Sequence, residues 1–239
     1  SNAVFMTYGD IPASEHQQAI HERALHRFQK LDRHITVPNE KRYPAPLNVE
    51  TAFSHLPEED ETAQEAIENK THIVLGWLLG HSTDLESQLK AHLMNDVLLD
   101  NSAAPLRKLL ETGNLGASPS PLCGLEDSNR EMAFMCGIEG SSPEKAEELE
   151  RRVLEVLQDV ADNGVPQARL EAALHQLELS QREIGGDHYP YGLQLLMSAV
   201  STAIHRGDPV QLLNLDPVLT KLHDDIKQPD YIQKLVKEW

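Results

Sequence analysis

The chain has 239 residues, 40% hydrophobic and 25% charged, an ordinary globular composition with room for one large domain or two small ones. Its formal net charge of −17 argues against non-specific binding to nucleic acid or to an anionic membrane, both of which need a basic surface. Two cysteines, Cys123 and Cys136, are too few for a disulfide framework or a zinc cluster and read as small buried residues of a reducing compartment. No apolar run approaches the ~20 residues of a membrane span, and no signal peptide opens the chain, so a cytoplasmic location is expected, with an organelle matrix or the periplasm left open. Ser1-Asn2-Ala3 has the look of a tag remnant.

In chain order, Val4–Tyr8 is a short β-prone run closed by the turn residues Gly9-Asp10. Ser14 can cap a helix reaching about Leu31, with Ala19, Ile20, Ala24, Phe28 and Leu31 near one stripe. Residues 32–69 are dotted with proline (Pro38, Pro44, Pro46, Pro57) and carry an acidic run at 58–61. They read as a connector with one edge strand near Leu47–Phe53.

Thr71–Leu79 is apolar at both alternating sets of positions, as in a strand covered on both faces. Asp84 lies near the start of a helix over Leu85–Leu99, whose apolar face is Leu89, Leu93, Met94, Val97 and Leu98. A second helix spans about Ala104–Thr112 and stops at Gly113, and residues 114–129 suit loop or irregular strand.

Glu131–Asp187 reads strand, helix, helix. Glu131–Gly140 mixes apolar with small residues, as in a strand closely approached by its neighbours. Ser141 or Ser142 offers an N-cap with Pro143 behind it. Leu149, Val153, Val156, Leu157 and Val160 then recur at spacings of three and four. Asn163-Gly164 ends that helix and Pro166 opens the next. Tyr189–Arg206 is expected as a further helix with Leu193, Leu196, Met197, Val200 and Ile204 buried, and two more helices follow near 217–226 and 229–239. The fold class is therefore α+β, a two-layer sandwich of helices on a mainly antiparallel sheet. Residues 1–45 form a strand-helix arm and linker, and 46–239 form the domain proper. Its last helices are not followed by a closing strand, so a truncated C-terminus is expected.

Local chemistry is sparse. His21-Glu22-x-x-x-His26 resembles a zinc-protease helix, but histidines five apart sit about 140° out of register at 3.6 residues per turn; His16 and His21 fail likewise, and H-x-x-E-H is absent throughout. His72 and His81 flank a strand. His188 sits in Gly185-Gly186-Asp187-His188-Tyr189, read as an inter-helix loop, and His223-Asp224-Asp225 reads as an exposed helix segment. Gly137-x-x-Gly140 before a helix could bind an anion, but it lacks a phosphate-loop lysine and Glu139 would repel phosphate, so close strand packing is favoured. No Gly-x-Ser-x-Gly elbow is present. No catalytic or metal-binding residue can be assigned.

Taken together, several segments resemble a family. Ser1-Asn2-Ala3-Val4 leading to Tyr8-Gly9-Asp10 is similar to the "P-S-N-A … Y-G-D" of pitrilysin/insulinase-type zinc metallopeptidases, in their presequence-protease branch. Trp77-Leu78-Leu79-Gly80 resembles its "W-L-L-G", and Pro105-Leu106 … Leu109-Leu110-Glu111-Thr112-Gly113 its "S-P-L … L-I-E-S-G", with Ala104 in place of the serine. Phe134 … Gly137-Ile138-Glu139-Gly140 resembles "F … G-L-x-G". On that reading the apparent tag remnant coincides with family residues.

The resemblance implies a clamshell of two halves, each of two related α+β domains, enclosing a peptide chamber. This chain resembles the non-catalytic second domain of the first half. Zinc, held in the parent enzyme by an H-x-x-E-H motif that is missing here, is not expected on this fragment. The expected partners are the remaining domains of the same polypeptide and an unstructured peptide substrate, and the activity of the parent is peptide-bond hydrolysis. The alternative is a structural subunit or peptide-binding module without activity.

Overall fold

The structure is a computed structural model and describes residues 3–29, 38–54, 62–184 and 189–239. Its centre is an antiparallel sheet in the order β1-β4-β2, with β3 also pairing to β4. The strands are β1 (Thr71–His81), β2 (Ser118–Pro119), β3 (Gly124–Glu126) and β4 (Glu131–Ser141). The β1–β4 register sets Ile73 opposite Ile138, Leu75 opposite Cys136 and Trp77 opposite Phe134. Because side chains alternate along a strand, these pairs fall on one face and form the sheet's share of the core with buried Met132.

The helices are α1 (Ala13–Arg23), α2 (Ala63–Lys70), α3 (Leu85–Leu99), α4 (Pro105–Thr112), α5 (Ala146–Asn163), α6 (Gln167–Arg182), α7 (Tyr191–Ile204), α8 (Leu215–Asp225) and α9 (Tyr231–Glu238). Helices α3, α4 and α5 lie against the sheet, α6 packs on α3, and α9 packs on α5. The expected apolar face of α3 is buried in full, and Leu149, Val153 and Val160 of α5 face the same core. Asp84 caps α3 by accepting the Ser87 N–H at 2.9 Å. Gly164 ends α5 at φ 72° and donates its N–H to the Val160 carbonyl.

Several expectations are corrected. Val4–Tyr8 and 47–53 form no strand, since neither finds a sheet edge to complete its backbone hydrogen bonds. The first helix ends at Arg23 and passes into a 3₁₀ turn over Leu25–Arg27, and its expected end at Leu31 lies outside the described residues, as does the acidic run at 58–61. The connector contains a helix, α2, started by a reciprocal cap: Thr62 Oγ1 accepts the Glu65 N–H at 3.2 Å and the Glu65 carboxylate accepts the Thr62 N–H at 2.9 Å. Strand β1 is not covered on both faces. It lies at an edge of the sheet, where Leu78 is 40% exposed. The cap expected from Ser141 or Ser142 is not made, because the Ser141 hydroxyl is spent on the Leu115 carbonyl and a 3₁₀ turn over Pro143–Lys145 precedes α5. Last, α7 buries Ala199 and Thr202 rather than the apolar residues expected, leaving Met197 57% and Ile204 42% exposed.

Candidate functional site

The histidines that sequence made tempting do not converge. His26 turns its Nδ1 back to the His21 carbonyl oxygen at 3.2 Å, so one ring nitrogen is committed to the backbone and the two exposed rings share no ligand position. His72 packs edge-on against Phe53, ring centroids 5.6 Å apart, with Glu139 at 3.8 Å. His223 donates to Glu178 at 3.0 Å while its neighbour Asp224 pairs with Lys227 at 2.7 Å, so that run splits between two partners. His188 and the Gly185-Gly186-Asp187 turn lie outside the described residues. Among the described residues no three histidine, cysteine or carboxylate groups come together as metal ligands. The donor set of a catalytic zinc, three protein ligands around an open position, is not assembled by them.

Gly137 and Gly140 serve packing. Gly137 lies against the β1 backbone at Ile73 and Val74, and Gly140 sits at φ 63°. An open cleft of about 360 Å³ does lie beside Gly140, Ser142 and Lys145. Glu68 also lines it, and Lys145 leans to Glu148 at 3.4 Å, so a bound anion would meet a carboxylate and a cation already engaged.

The cysteine thiols are quiet. Cys123 donates its S–H to the Gly137 carbonyl and accepts the Gly137 N–H, each at 3.2 Å, which makes the thiol a side-chain rung on β4. Burial raises its pKa. Burial also pushes the Cys136 thiol up to about 12, with Cys123 adding to the effect. Neither has the electropositive, open setting of a reactive thiolate.

Two polar clusters that the sequence did not mark out are built at the end of the sheet. In the first, the carboxylate of Glu131, with 6% of its side chain exposed, opens β4 and is satisfied from the connector. It accepts the Glu40 N–H at 2.7 Å and pairs with the Arg42 guanidinium. One residue earlier in the connector, the Asn39 amide donates to His81 Nε2 at 2.9 Å, at the last residue of β1. The Arg42 pairing holds the Glu131 carboxyl below its usual range against the opposing effect of burial, and the Glu40 N–H adds to it. A buried carboxylate is costly unless paired and hydrogen-bonded. Glu131 therefore fixes the 39–42 segment on the sheet.

In the second cluster, His92 of α3 donates to Asp127 at 3.1 Å, and that bond lowers the Asp127 pKa. The backbone of the same loop takes bonds from α7. Ser201 Oγ donates to the Asp127 and Ser128 carbonyls at 3.2 and 3.1 Å, and His205 Nε2 reaches the Ser128 carbonyl at 2.9 Å. A serine, a histidine and an aspartate are close in this group, but the serine hydroxyl is given to backbone oxygen and no histidine nitrogen accepts from it. The arrangement ties elements together and activates no nucleophile. Neither cluster has a periodic or motif signature, and pairing between residues 89 apart is invisible to local pattern.

Residues 1–177 match the family described as the Peptidase M16 inactive domain. The mitochondrial presequence protease of Xenopus tropicalis is 30% identical over 240 residues, covering 100% of this chain and 23% of that protein. The mitochondrial presequence protease of Mus musculus is 28% identical, with 100% and 22% covered. The chain thus spans less than a quarter of the length of these curated relatives. Among solved structures, the inactive peptidase domain of a candidate zinc protease from Bordetella parapertussis superposes with a TM-score of 0.50 at 15% identity, covering 69% of this chain and 83% of that one. At that identity the likeness speaks for the fold.

Proposed function

The chain belongs to the family of M16 peptidase inactive domains, and from that premise we propose that it is the non-catalytic domain of a longer zinc metalloendopeptidase that degrades unstructured peptides. The observation that carries this reading is the match of 177 residues to a family described as inactive. The relatives are longer proteins named as proteases, so the zinc and the peptide-cleaving residues belong to other domains of that polypeptide. Within it, this domain serves as part of a peptide chamber's wall and as a support for its catalytic neighbour. Residues 1–45 are the arm that leads from that neighbour, and 46–239 are the domain. The Glu131–Arg42 pairing supports that division of labour, since it fastens the arm to the sheet. The named relatives are mitochondrial, which moves the expected compartment from the cytoplasm to that organelle.

The test compares this chain with the longer polypeptide from which it comes. Metal analysis and cleavage of a fluorogenic unstructured peptide are expected to give one zinc and turnover for the long form, and neither for residues 1–239. Stoichiometric zinc on residues 1–239, with an activity lost in His21→Ala, would overturn the proposal. A long form that holds no zinc and cleaves nothing would do the same, in favour of a structural subunit.

A further inference from the structure

The two cysteines face each other across the sheet. Cys123 immediately precedes β3, and Cys136 lies in β4. The two strands pair Gly124 with Met135, Leu125 with Phe134 and Glu126 with Ala133, so one step further along the ladder Cys123 comes opposite Cys136. Gly137 turns both its N–H and its C=O to the Cys123 sulfur. Backbone groups alternate in direction along a strand, so Cys136 turns its own toward β1. Cys123 therefore meets it at a non-hydrogen-bonded position, where cross-strand side chains come closest. Both side chains belong to one face of the sheet, Cys136 within the core and Cys123 packed against it. The distances agree. Cys123 Sγ is 3.2 Å from the Gly137 nitrogen, and standard bond lengths put that nitrogen about 2.4 Å from the Cys136 α-carbon. The sulfur thus lies at most about 5.6 Å from that carbon. A disulfide asks for α-carbons about 4.4–6.8 Å apart, a span that rotation of the Cys123 side chain away from Gly137 would close.

We propose that Cys123 and Cys136 are a dithiol placed to close into a cross-strand disulfide, with a low-molecular-weight disulfide such as oxidised glutathione as the oxidant. The two thiols differ in access. Cys136 is 0% exposed, whereas Cys123 is half-buried. A thiol with no accessible surface is oxidised in the folded chain only by a group already inside it, and Cys123 is that group. The Cys123 thiolate attacks one glutathione sulfur, forming a mixed disulfide and releasing the first glutathione as its thiolate. The Cys136 thiolate then attacks Cys123 Sγ, breaking the mixed disulfide and releasing the second. The two thiol protons end on the two glutathiones, and the two electrons of the protein dithiol have reduced the oxidant. Burial raises both thiol pKa values, so the exchange is slow rather than absent. Closure takes the Cys123 sulfur off the Gly137 backbone and makes residues 124–135 a covalent loop. That loop holds Asp127 and Ser128, the residues gripped by His92, Ser201 and His205. Oxidation therefore staples the β3–β4 hairpin at the base of this cluster.

The test holds the folded 239-residue chain in buffers of stepped oxidised-to-reduced glutathione ratio, with alkylation and peptide mapping under non-reducing conditions. A species lighter by two hydrogen atoms, with the peptides of Cys123 and Cys136 linked, is expected to grow with the oxidised fraction and to revert in dithiothreitol. Two free thiols at every ratio would overturn the proposal. So would a wild type that stops as a glutathione adduct on Cys123, or a link formed only between two chains. Two variants test the order of attack. Cys136→Ser is expected to stop at the Cys123 adduct, and Cys123→Ser to leave Cys136 reduced at every ratio. Oxidation of Cys136 in folded Cys123→Ser would overturn the relay. The wild-type map decides the linkage by itself where the buried Cys136→Ser change disturbs folding.

Discussion

A β-carbon placed on Gly137 would come within 2.3 Å of the Ile73 carbonyl oxygen on the neighbouring strand. The same carbon would meet Val74 Cα at 2.8 Å. Both obstacles are backbone, so the sheet could accept a side chain here only by opening the β1–β4 ladder at its centre. Gly76, on β1, is a contrast, with its nearest neighbour at 3.8 Å. The first glycine is a packing requirement and the second is not.

Gly137→Ala is therefore expected to destabilise the chain by about 1–3 kcal/mol or more, the usual cost of overpacking. Gly76→Ala should lie near neutral or be slightly stabilising, because it removes freedom from the unfolded chain. Urea denaturation of the two variants side by side checks the pair. Equal stabilities would mean that the strands are not so tightly apposed.

The arm should be released by breaking the Glu131 contact. Arg42→Gln leaves a buried carboxylate with the Glu40 N–H, and Glu131→Gln removes the charge that recruits both partners. Limited proteolysis is expected to cut residues 38–43 several-fold faster in either variant, with the sheet core still resistant. The pH dependence follows from the lowered Glu131 pKa. Its stabilisation is present in full above the usual carboxylate range and is lost as pH falls through the lowered value, because the unfolded state then takes up the proton first. Cutting of the wild type should thus rise only in acid, and the Glu131→Gln variant should show a flatter profile.

Thiol alkylation should separate the two cysteines from ordinary exposed thiols. With its pKa raised to about 12, Cys136 is a neutral, buried thiol at pH 8 and should stay unlabelled while the chain is folded. Cys123, half-buried and bonded to Gly137, should react slowly. Both should react at once in denaturant, which peptide mass mapping would read.

Leu149 of α5 is fully buried in the core. Leu149→Ala is expected to cost about 2–5 kcal/mol, from lost transfer energy together with the cavity left behind. Leu154, on the same helix but 45% exposed, should tolerate alanine with a far smaller loss. Thermal melts of both variants test whether α5 presents the face that its periodicity implies.

Much of this architecture was written locally. Three- and four-residue spacing identified the buried faces of α3 and α5, and Asp84, Gly113 and Gly164 marked the ends of helices where their chemistry says they should. The Thr62-x-x-Glu65 box is equally readable as a helix start, although the prolines before it favour loop. The strand expected at 47–53 shows the opposite failure: β-prone residues make a strand only when a partner edge is available, and that partner is a tertiary fact.

Contacts between distant residues were beyond the sequence. Glu131 meeting Arg42, and Ser201 meeting the loop at Asp127, depend on how β4, the connector and α7 are brought together, and no local spacing encodes that. Helix α7 is the sharpest case. Its composition alone required burial, and the sequence reading accordingly placed Met197 and Ile204 in the core. The fold instead buries Ala199 and Thr202 and leaves Met197 and Ile204 at the surface. Hydrophobic patterning determined by itself that α7 is a helix. Only the tertiary structure decided which of its residues are buried, because the hydrogen bonds of Ser201 and Thr202 to Asp127, Ser128 and Ser82 fix the rotation of the helix.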